Sequence, residues 1–398
     1  MKIVWLTPEI PYPPIGGRNG VYNRIVQLSK TNEIYLISIA YNPEEKNSTS
    51  HMEQFCKEVH YYDRSDNKLY TYLKSMFMPY SVASRYRKEI VIEIQELVEK
   101  EDIDLIIVDF PNMAQNVIKI KKKNPTLKMT INQHNVEFKR MRELNAIKTI
   151  QMYKRVAYWL ESLRLEMYER NLYKKGLFDS ITFFSEDDRK FFEENINVNK
   201  SVCKTIPLGA NDYNMKPCYS NSKTMLFVGR LDSIAITNVE AALWFVKSIF
   251  PKILKEVSDA KLIIAGANPC EDIKKCECAN ISVIPNFSTL NDVYDKADIV
   301  ILPLLSGGGV KGKLLEAIAF RKHIVTTNHG IEGTLFEDKK HVALCNDDKS
   351  FADACIDIMR NPDMYEEREK NAYELFKQMY DWDAIGTIYN QFMMNMIE

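Results

Sequence analysis

The sequence predicts an α/β protein with two successive units, each built around a mainly parallel β-sheet. Three observations support this fold class. Short apolar, β-branched segments alternate with helix-like segments, the alternation stops at an irregular polar stretch over 211–223, and it then begins again. Strands that alternate with helices are typical of parallel sheets. The 398 residues also exceed what a single hydrophobic core usually holds.

Composition and charge exclude several classes of protein. The net charge is −1, so no global field favours nucleic acid as a partner. The sequence has no run of about 18 apolar residues, and we expect no transmembrane helix. The eight cysteines lack disulfide-like spacing, which is typical of a reducing cytoplasm. Cys270, Cys276 and Cys278 cluster, but no nearby histidine completes a zinc site.

The first predicted unit opens with a strand over 2–6, a glycine loop and a helix. Gly16 and Gly17 do not form the G-x-G-x-x-G pattern, so we predict no dinucleotide cofactor there. The loop is interpreted either as backbone that faces a ligand cleft or as a plain turn. Further strands are predicted over 33–40, 104–109, 128–133 and 179–184, and a helix cap over 185–188.

One histidine stands at a position where ligands commonly bind. His134 follows the predicted strand 128–133, and ligands of open α/β sheets bind at the carboxyl ends of the strands. His134 is therefore a candidate to hydrogen-bond a sugar or to position the reacting centre. The alternative is a histidine whose hydrogen bonds are satisfied by loop carbonyls.

Two segments of the first unit, 68–88 and 139–175, mix aromatic, methionine and basic residues. Such faces suit acidic or lipid-linked partners at a membrane surface. The alternative is a long helix that packs on the core and exposes a solvated basic side.

The second predicted unit repeats the alternation. Strands are predicted over 224–228, 261–265, 281–284, 299–302, 323–327 and 342–344. The remainder of the chain, from about residue 349, is predicted to be helical, with breaks at 361–362 and 380–383.

A glycine turn follows the strand 299–302 and leads into a helix. Gly307–Gly309 remove every side chain from this turn, so backbone amides can approach a ligand closely. Lys311 and Lys313 stand at the helix entrance, and Glu316 lies one turn further on. A glycine turn at a helix N-terminus favours anions. We interpret the turn as a diphosphate cradle beside a carboxylate for a sugar hydroxyl; the alternative is a tight turn required only by packing.

The two sheets are expected to face each other across a cleft, because ligands of such sheets bind at their carboxyl edges. This arrangement would bring His134 opposite Arg230 and Glu316. The residues alone thus predict a two-lobed protein that binds a phosphorylated ligand.

These motifs resemble the GT-B glycosyltransferases of glycosyltransferase family 4, along essentially the whole chain. The resemblance rests on Gly16-Gly17, His134-Asn-Val-Glu137, Val228-Gly-Arg-Leu231, Gly309–Ala319, Gly330-Ile-Glu-Gly333 and Tyr380-Asp-Trp382. It implies two Rossmann-like α/β/α domains, an acceptor-side domain over 1–212 and a nucleotide-sugar domain over 213–380. The helix 381–398 would cross back onto the first domain.

The resemblance also implies site residues. His134 would lie near the transferred sugar and Glu316 would hold the ribose, and these two are the candidate catalytic residues. The residues expected to bind the donor are Gly16, Gly17, Gly229, Arg230, Ile284, Asn286, Gly308, Gly309, Lys311, Lys313 and Glu316. The cationic side chains and glycine amides would stabilise the leaving diphosphate, whereas Ile284 and Asn286 would meet the base through their backbone.

The implied activity is metal-independent, retaining transfer from a UDP-, GDP- or dTDP-sugar to a lipid-linked or growing glycan, without a bound cofactor. The protein would act in the cytoplasm, at the inner face of the membrane. In many members a glutamate stands where this chain has Gly308, and a lysine stands where it has Ala235 or Ile236. These departures keep open a catalytically silent GT-B partner of a true transferase. A nucleotide-sugar epimerase is a further alternative.

Overall fold

The computed structural model describes residues 1–14, 17–41, 45, 49–63, 68–146, 151–217, 222–307 and 309–398. Gly16 and Gly308, both predicted site residues, lie outside the described residues. The chain forms two compact units, the first made of Met1–Pro207 with Ile385–Glu398, and the second of Leu208–Ala384.

The first unit contains a seven-stranded parallel sheet with the order β3-β2-β1-β4-β5-β6-β7. Its strands are β1 (Lys2–Thr7), β2 (Glu33–Ala40), β3 (Glu58–Asp63), β4 (Leu105–Asp109), β5 (Lys128–Gln133), β6 (Ser180–Phe183) and β7 (Cys203–Thr205). The sequence analysis did not predict β3 and β7. Strand β3 lies at a sheet edge and is half-exposed, and β7 has three residues, so neither carries a continuous apolar pattern.

Helices connect these strands. They are α1 (Arg18–Ser29), α2 (Thr49–Met52), α3 (Lys68–Ser75), α4 (Tyr80–Ala83), α5 (Lys88–Lys100), α6 (Ile118–Lys123), α7 (Glu137–Ala146), α8 (Met152–Lys174) and α9 (Glu186–Asn195), with 3-10 turns at Pro111–Asn116 and Lys200–Val202. The predicted cap is confirmed, because the Ser185 hydroxyl accepts a hydrogen bond from the Asp188 amide.

The second unit contains a six-stranded parallel sheet with the order β10-β9-β8-β11-β12-β13. Its strands are β8 (Thr224–Val228), β9 (Lys261–Ala265), β10 (Ile281–Ile284), β11 (Ile299–Leu302), β12 (His323–Thr326) and β13 (Ala343–Leu344). Each lies where the sequence predicts a strand, and β8, β9, β11 and β12 are short, apolar and buried on both faces.

The helices of the second unit lie between and after these strands. They are α10 (Ile236–Trp244), α11 (Phe250–Glu256), α12 (Glu271–Lys274), α13 (Asn291–Tyr294), α14 (Gly312–Ala319), α15 (Asn328–Ile331), α16 (Asp348–Arg360), α17 (Glu366–Met379) and α18 (Trp382–Ile397), with a π-helical stretch at Phe245–Ile249 and a 3-10 turn at Pro362–Tyr365. From Ile385 onwards, α18 belongs to the first unit.

Helices pack on both faces of the second sheet, because successive side chains of a strand point to opposite faces. Met225 and Phe227 share one core with α10, α11 and α16, whereas the alternate residues Leu226 and Val228 share another with α13, α14 and α17. In both sheets the strand order reverses beside the first strand, between β1 and β4 and between β8 and β11. These are the Rossmann switch points, where ligands of such sheets bind. The predicted pair of Rossmann-like domains is confirmed.

Candidate functional site

Two turns meet at the switch point of the second sheet. One follows β8 and contains Gly229; the other follows β11 and contains Gly307 and Gly309. The Gly229 amide donates to the Ala265 carbonyl over 3.0 Å, which extends the sheet into the turn. A Cβ atom on Gly307 would lie 3.7 Å from the Thr237 methyl group at the start of α10. The β11–α14 turn therefore lies beside the first turn of α10.

Glycine is favoured at three positions of these turns. A Cβ atom at Gly229 would lie 2.9 Å from the Lys313 ammonium, so a larger residue would push the end of this flexible side chain aside. Gly307 and Gly309 have φ angles of +107° and +75°, which L side chains rarely adopt. Helix α14 begins just after this turn, and no side chain caps its first amides. The turn thus presents backbone donors at a helix N-terminus.

Lys313 lies at the centre of this site. Its Nζ donates to Asn238 Oδ1 over 2.7 Å and lies 4.9 Å from the centre of the Phe227 ring. Burial lowers the pKa of Lys313 to about 8, and the carboxylate of Glu316 opposes this shift. A buried ammonium with one neutral hydrogen-bond partner is poorly compensated. An anionic ligand would therefore be favoured beside it.

The second lysine of the turn is already compensated. Lys311 Nζ donates to the Gly309 carbonyl, within its own turn. It also lies 3.9 Å from the Glu332 carboxylate. Since its charge has an acidic partner, we regard Lys311 as secondary to Lys313 for anion binding.

Glu316 is partly buried on α14, and its carboxylate makes no hydrogen bond within the described part of the chain. Burial raises its pKa, and the positive charge of Lys313 opposes this rise. Two tyrosines flank it: the rings of Tyr213 and Tyr294 stack on Phe320 at 4.2 and 4.4 Å. The Tyr294 hydroxyl is buried without a partner among the described residues, and burial raises its pKa well above its ordinary value.

The Arg230 side chain pairs with a neighbouring carboxylate, so it is not free to bind a diphosphate. Its side chain is 63% exposed and its Nε donates to the Asp232 carboxylate. Asp232 also accepts the amides of Ile234 and Ala235 at 3.0 and 3.1 Å, which shapes the turn before α10. Arg230 would have to leave Asp232 to reach a ligand.

The predicted base-contacting residues stand at the carboxyl end of β10. The Ile284 carbonyl accepts a hydrogen bond from the Gly266 amide over 3.0 Å, so it is engaged in extending the sheet. Asn286 is exposed just beyond the strand.

In the first unit, His134 is buried at the carboxyl end of β5 and is held by a carboxylate. Its Nε2 lies 2.9 Å from Asp109 Oδ1, at the end of the neighbouring strand β4. The same carboxylate accepts hydrogen bonds from the indole of Trp5 and, over 2.9 Å, from the amide of Asn132. The partner of His134 Nε2 is thus a side-chain carboxylate, where the alternative interpretation expected loop carbonyls.

The backbone next to this carboxylate is strained. Phe110 has a φ angle of +66°, in a region that non-glycine residues rarely occupy. Its ring stacks on His134 with centroids 3.9 Å apart. Such strain is retained where the surrounding structure imposes it, commonly at binding sites.

A fully buried guanidinium lies next to this group. Arg24 Nη2 donates to the carbonyl of Ile206 over 2.6 Å and to that of Pro207 over 3.3 Å. Its guanidinium stands 4.3 Å from the centre of the Phe184 ring and 5.1 Å from that of Tyr389. Burial lowers the pKa of Arg24. The cation is stabilised by ring faces rather than by a paired carboxylate.

Gly17 begins α1 with ordinary helical angles, and a Cβ atom there would meet nothing within 4 Å. Neither its conformation nor its neighbours among the described residues require glycine.

Sequence reasoning did not find several residues of these sites. Asn238 and Tyr294 lie on helices with no motif, and Tyr213 falls in the stretch interpreted as a linker. Asp109 could have been recognised from the sequence, because it ends an apolar strand at the switch point. None of the described helices is long and apolar enough to cross a membrane.

Comparisons with known proteins agree with this geometry. Residues 222–361 match the family model Glycosyl transferases group 1. The matched residues lie within the second unit. A Klebsiella pneumoniae protein, described as an uncharacterized 44.6 kDa protein in the cps region, is 26% identical over 396 residues, and the match covers 96% of each chain.

Solved structures with the same fold cover the whole chain. A glycosyltransferase from Rickettsia africae has a TM-score of 0.68 and 13% identity, with 100% of this chain and 98% of that one covered. Anabaena HepE in complex with UDP has a TM-score of 0.64 and 12% identity, with 99% and 100% covered. A variant of S. aureus TarM in complex with UDP has a TM-score of 0.66 and 12% identity, with 100% and 99% covered. The resemblance to GT-B glycosyltransferases is confirmed, whereas family 4 and retention stay predictions.

Proposed function

We propose that the protein transfers a sugar from a nucleotide-diphosphate sugar to a lipid-linked or growing glycan acceptor. One observation carries this proposal: Lys313 and Glu316 stand one turn apart on α14, beside two glycine turns, and neither has an oppositely charged hydrogen-bond partner among the described residues. A cation for the diphosphate and an acceptor for the ribose hydroxyls are what such a donor needs.

In the proposed reaction, the bond between the sugar's anomeric carbon and the diphosphate oxygen breaks, and the bonding electrons leave with the diphosphate. An acceptor hydroxyl adds to the carbon, and its proton passes to the departing diphosphate oxygen. Charge grows on the leaving diphosphate, so fixed donors aimed at it lower the barrier. Lys313 and the uncapped amides at the start of α14 supply these donors, without a metal ion, and Arg230 adds a second cation after leaving Asp232. We propose retention at the anomeric carbon.

Lys313 also accounts for a departure from the family pattern. Ala235 and Ile236 replace the lysine that many members carry at the start of α10. Lys313 Nζ reaches the same place from α14, because it bonds Asn238 on the first turn of α10 and packs against Gly229. We propose that Lys313 supplies the missing charge.

We assign contacts with the transferred sugar to the first unit. His134 would contact the transferred sugar, in an orientation that Asp109 and the Phe110 ring fix. Gly17, together with Gly16, would allow a ligand to approach α1.

The relatives support a role in surface polysaccharide or glycolipid synthesis. The Klebsiella relative is described by its cps region, and the HepE and TarM structures contain UDP. UDP-sugars are therefore the first donors to test, ahead of GDP- and dTDP-sugars. The proposed place of action is the cytoplasm, at the inner face of the membrane.

Donor hydrolysis tests the proposal without knowledge of the acceptor. The purified protein is incubated with UDP-, GDP- and dTDP-sugars, and release of free sugar is followed by NMR, which also reports the anomer first formed. We expect slow hydrolysis of one donor class, with the α-anomer first from an α-linked donor, and no hydrolysis by Glu316→Ala. No hydrolysis of any donor, together with no nucleotide binding, would favour the silent partner.

A further inference from the structure

Helix α8 (Met152–Lys174) has two sets of residues at helical spacing, and the described residues cover one of them. Ser162, Leu165, Glu169 and Leu172 are buried and follow one another at three- or four-residue spacing, and Tyr173 next to Leu172 is also buried. A second set with helical spacing points to solvent. It consists of Met152, Val156, Trp159, Leu160, Leu163 and Met167.

A second group of exposed apolar side chains lies between α3 and α4. Tyr72, Met76 and Phe77 are exposed, and the Phe77 ring reaches 89% exposure. Tyr72 and Tyr80 lie 5.9 Å apart, so the group continues to the start of α4. Large aromatic and methionine side chains at such exposure are typical of a surface that binds something.

The two groups adjoin each other. Burial raises the pKa of Glu161, on α8, and the nearby backbone of Ser81 and Tyr80, at the start of α4, opposes this rise. The middle of α8 therefore lies beside the start of α4. We call the exposed apolar side chains of 72–80 and 152–167 the α3–α8 surface.

Charge shows which partner suits this surface. Residues 68–88 contain five Lys or Arg and no Asp or Glu, and residues 151–175 contain six Lys or Arg and three Glu. One of these glutamates, Glu169, is buried, so it adds no negative charge at the surface. A second copy of the chain would bring two positive surfaces together, whereas an anionic surface would be attracted. Apolar, aromatic and basic side chains together are the composition of membrane-interface helices.

We propose that the α3–α8 surface binds the surface of an anionic lipid bilayer. Trp159, Leu160 and Phe77 would enter the boundary between headgroups and acyl chains, while the lysines and arginines around them contact lipid phosphates. The inference deepens the proposed function, on which it rests for its purpose: a lipid-linked acceptor is held in the membrane.

Vesicle co-sedimentation tests the proposal on the full chain. Vesicles of phosphatidylcholine alone are compared with a phosphatidylcholine and phosphatidylglycerol mixture, at low and high salt. We expect binding to the anionic vesicles, weakened by salt. The double variant Phe77→Glu/Leu160→Glu should bind at least about tenfold more weakly, because both side chains lose their favourable transfer from water.

A matched control makes the same chemical change elsewhere. Met364 is 76% exposed in the second unit, and Met364→Glu should bind vesicles as the unchanged protein does. Circular dichroism of each variant confirms its fold. Absence of binding to anionic vesicles, or equal loss in the control, would overturn the proposal. A dimer in sedimentation velocity that the double variant dissociates would also overturn it, in favour of a second copy as the occupant.

Nucleotide binding is measured on the same samples. If vesicle binding fails while UDP still stabilises the protein, the membrane inference fails and the proposed function stands. If UDP does not bind while vesicles still do, the proposed function is wrong and the membrane proposal for the α3–α8 surface stands.

Discussion

The carboxyl edges of the two sheets hold polar residues in opposite ways. In the first unit, Asp109 accepts hydrogen bonds from Trp5 and Asn132 and holds His134, so the group is internally satisfied. In the second unit, Glu316 has no hydrogen-bond partner among the described residues, and Lys313 has a neutral one. Both edges occur at the switch point of a parallel sheet with the same strand order.

The difference indicates two tasks for one architecture. A satisfied buried group holds side chains in one geometry and contributes to stability. A site with uncompensated charges is costly for the free protein and gains on binding a ligand that satisfies them. We therefore expect changes at the first edge to reduce stability as well as turnover, and changes at the second to reduce binding and turnover without a loss of stability.

The largest effect is expected at Lys313. Lys313→Met removes the charge beside the diphosphate and should lower kcat by about 10²- to 10³-fold, the usual cost of losing one donor to a developing anion. The unfolding temperature should stay the same or rise, because a buried ammonium is removed. Lys311→Met is the matched control, and we expect a smaller loss. Equal losses of kcat for the two variants would show that Lys313 is no more important than Lys311.

The second effect tests the edge of the first sheet. Asp109→Ala leaves the buried donors of Trp5 and Asn132 without their partner and frees His134. At about 1–3 kcal/mol for each unsatisfied group, the free energy of unfolding should fall by about 3 kcal/mol or more. Urea denaturation measures this loss. Asp259→Ala, at an exposed ion pair with Lys223, should leave it nearly unchanged. An Asp109→Ala variant as stable as the native chain would contradict the role of Asp109 in holding Trp5, Asn132 and His134 in place.

The third effect is the pH dependence of nucleotide binding. The ordinary pKa of 10.5 falls to about 8 at Lys313. Its ammonium is charged below this pH and becomes neutral above it, so UDP affinity should fall by up to about tenfold per pH unit above pH 8. In the free protein, this depressed pKa adds stability as the pH rises from about 8 to 10.5. Calorimetric titrations between pH 7 and about 10 should show the fall for the native chain and a flat profile for Lys313→Met.

The smallest effect concerns Glu169, in the core of the first unit. Gln133 Nε2 donates to its carboxyl group over 2.9 Å, and burial raises its pKa from 4.5 to about 8. In the folded state the Glu169 carboxyl stays protonated up to about pH 8, whereas in the unfolded chain it loses its proton near pH 4.5. Its contribution to the free energy of unfolding is therefore fully present below pH 4.5 and is lost as the pH rises to about 8. The free energy of unfolding should therefore slope downward over this pH range. Glu169→Gln should remove the slope from thermal unfolding profiles, and an unchanged slope would contradict its assignment.

The sequence predicted the second unit more completely than the first. Strands such as Ile299–Leu302 are short apolar runs buried on both faces, and the turn Gly307–Gly309 with Lys313 and Glu316 is contiguous in the chain. Local patterns therefore indicate them. In the first unit, His134 was identified, but Asp109 is 25 residues away in the chain, and only the parallel pairing of β4 with β5 joins them.

Other features depend on tertiary contacts that no local pattern encodes. Lys313 and Asn238 are 75 residues apart, and the close contact of Lys313 with Gly229 depends on two turns that meet only in the folded sheet. The edge strand β3 was missed because half of its side chains face solvent. Which of the two lysines holds a charged partner could not be predicted, since Glu332 lies beyond the following strand.

Calorimetric titration with UDP, UMP and uridine tests the central claim most directly, for the native chain, Lys313→Met and Glu316→Ala. The claim is that the β8–β11 edge binds a nucleotide diphosphate, with Lys313 on the phosphates and Glu316 on the ribose. We predict that UDP binds the native chain more tightly than UMP, that Lys313→Met removes this preference, and that Glu316→Ala weakens all three ligands. GDP, ADP and dTDP are titrated in the same way. If no nucleoside diphosphate binds the native chain, or if both variants bind as the native chain does, the claim is wrong.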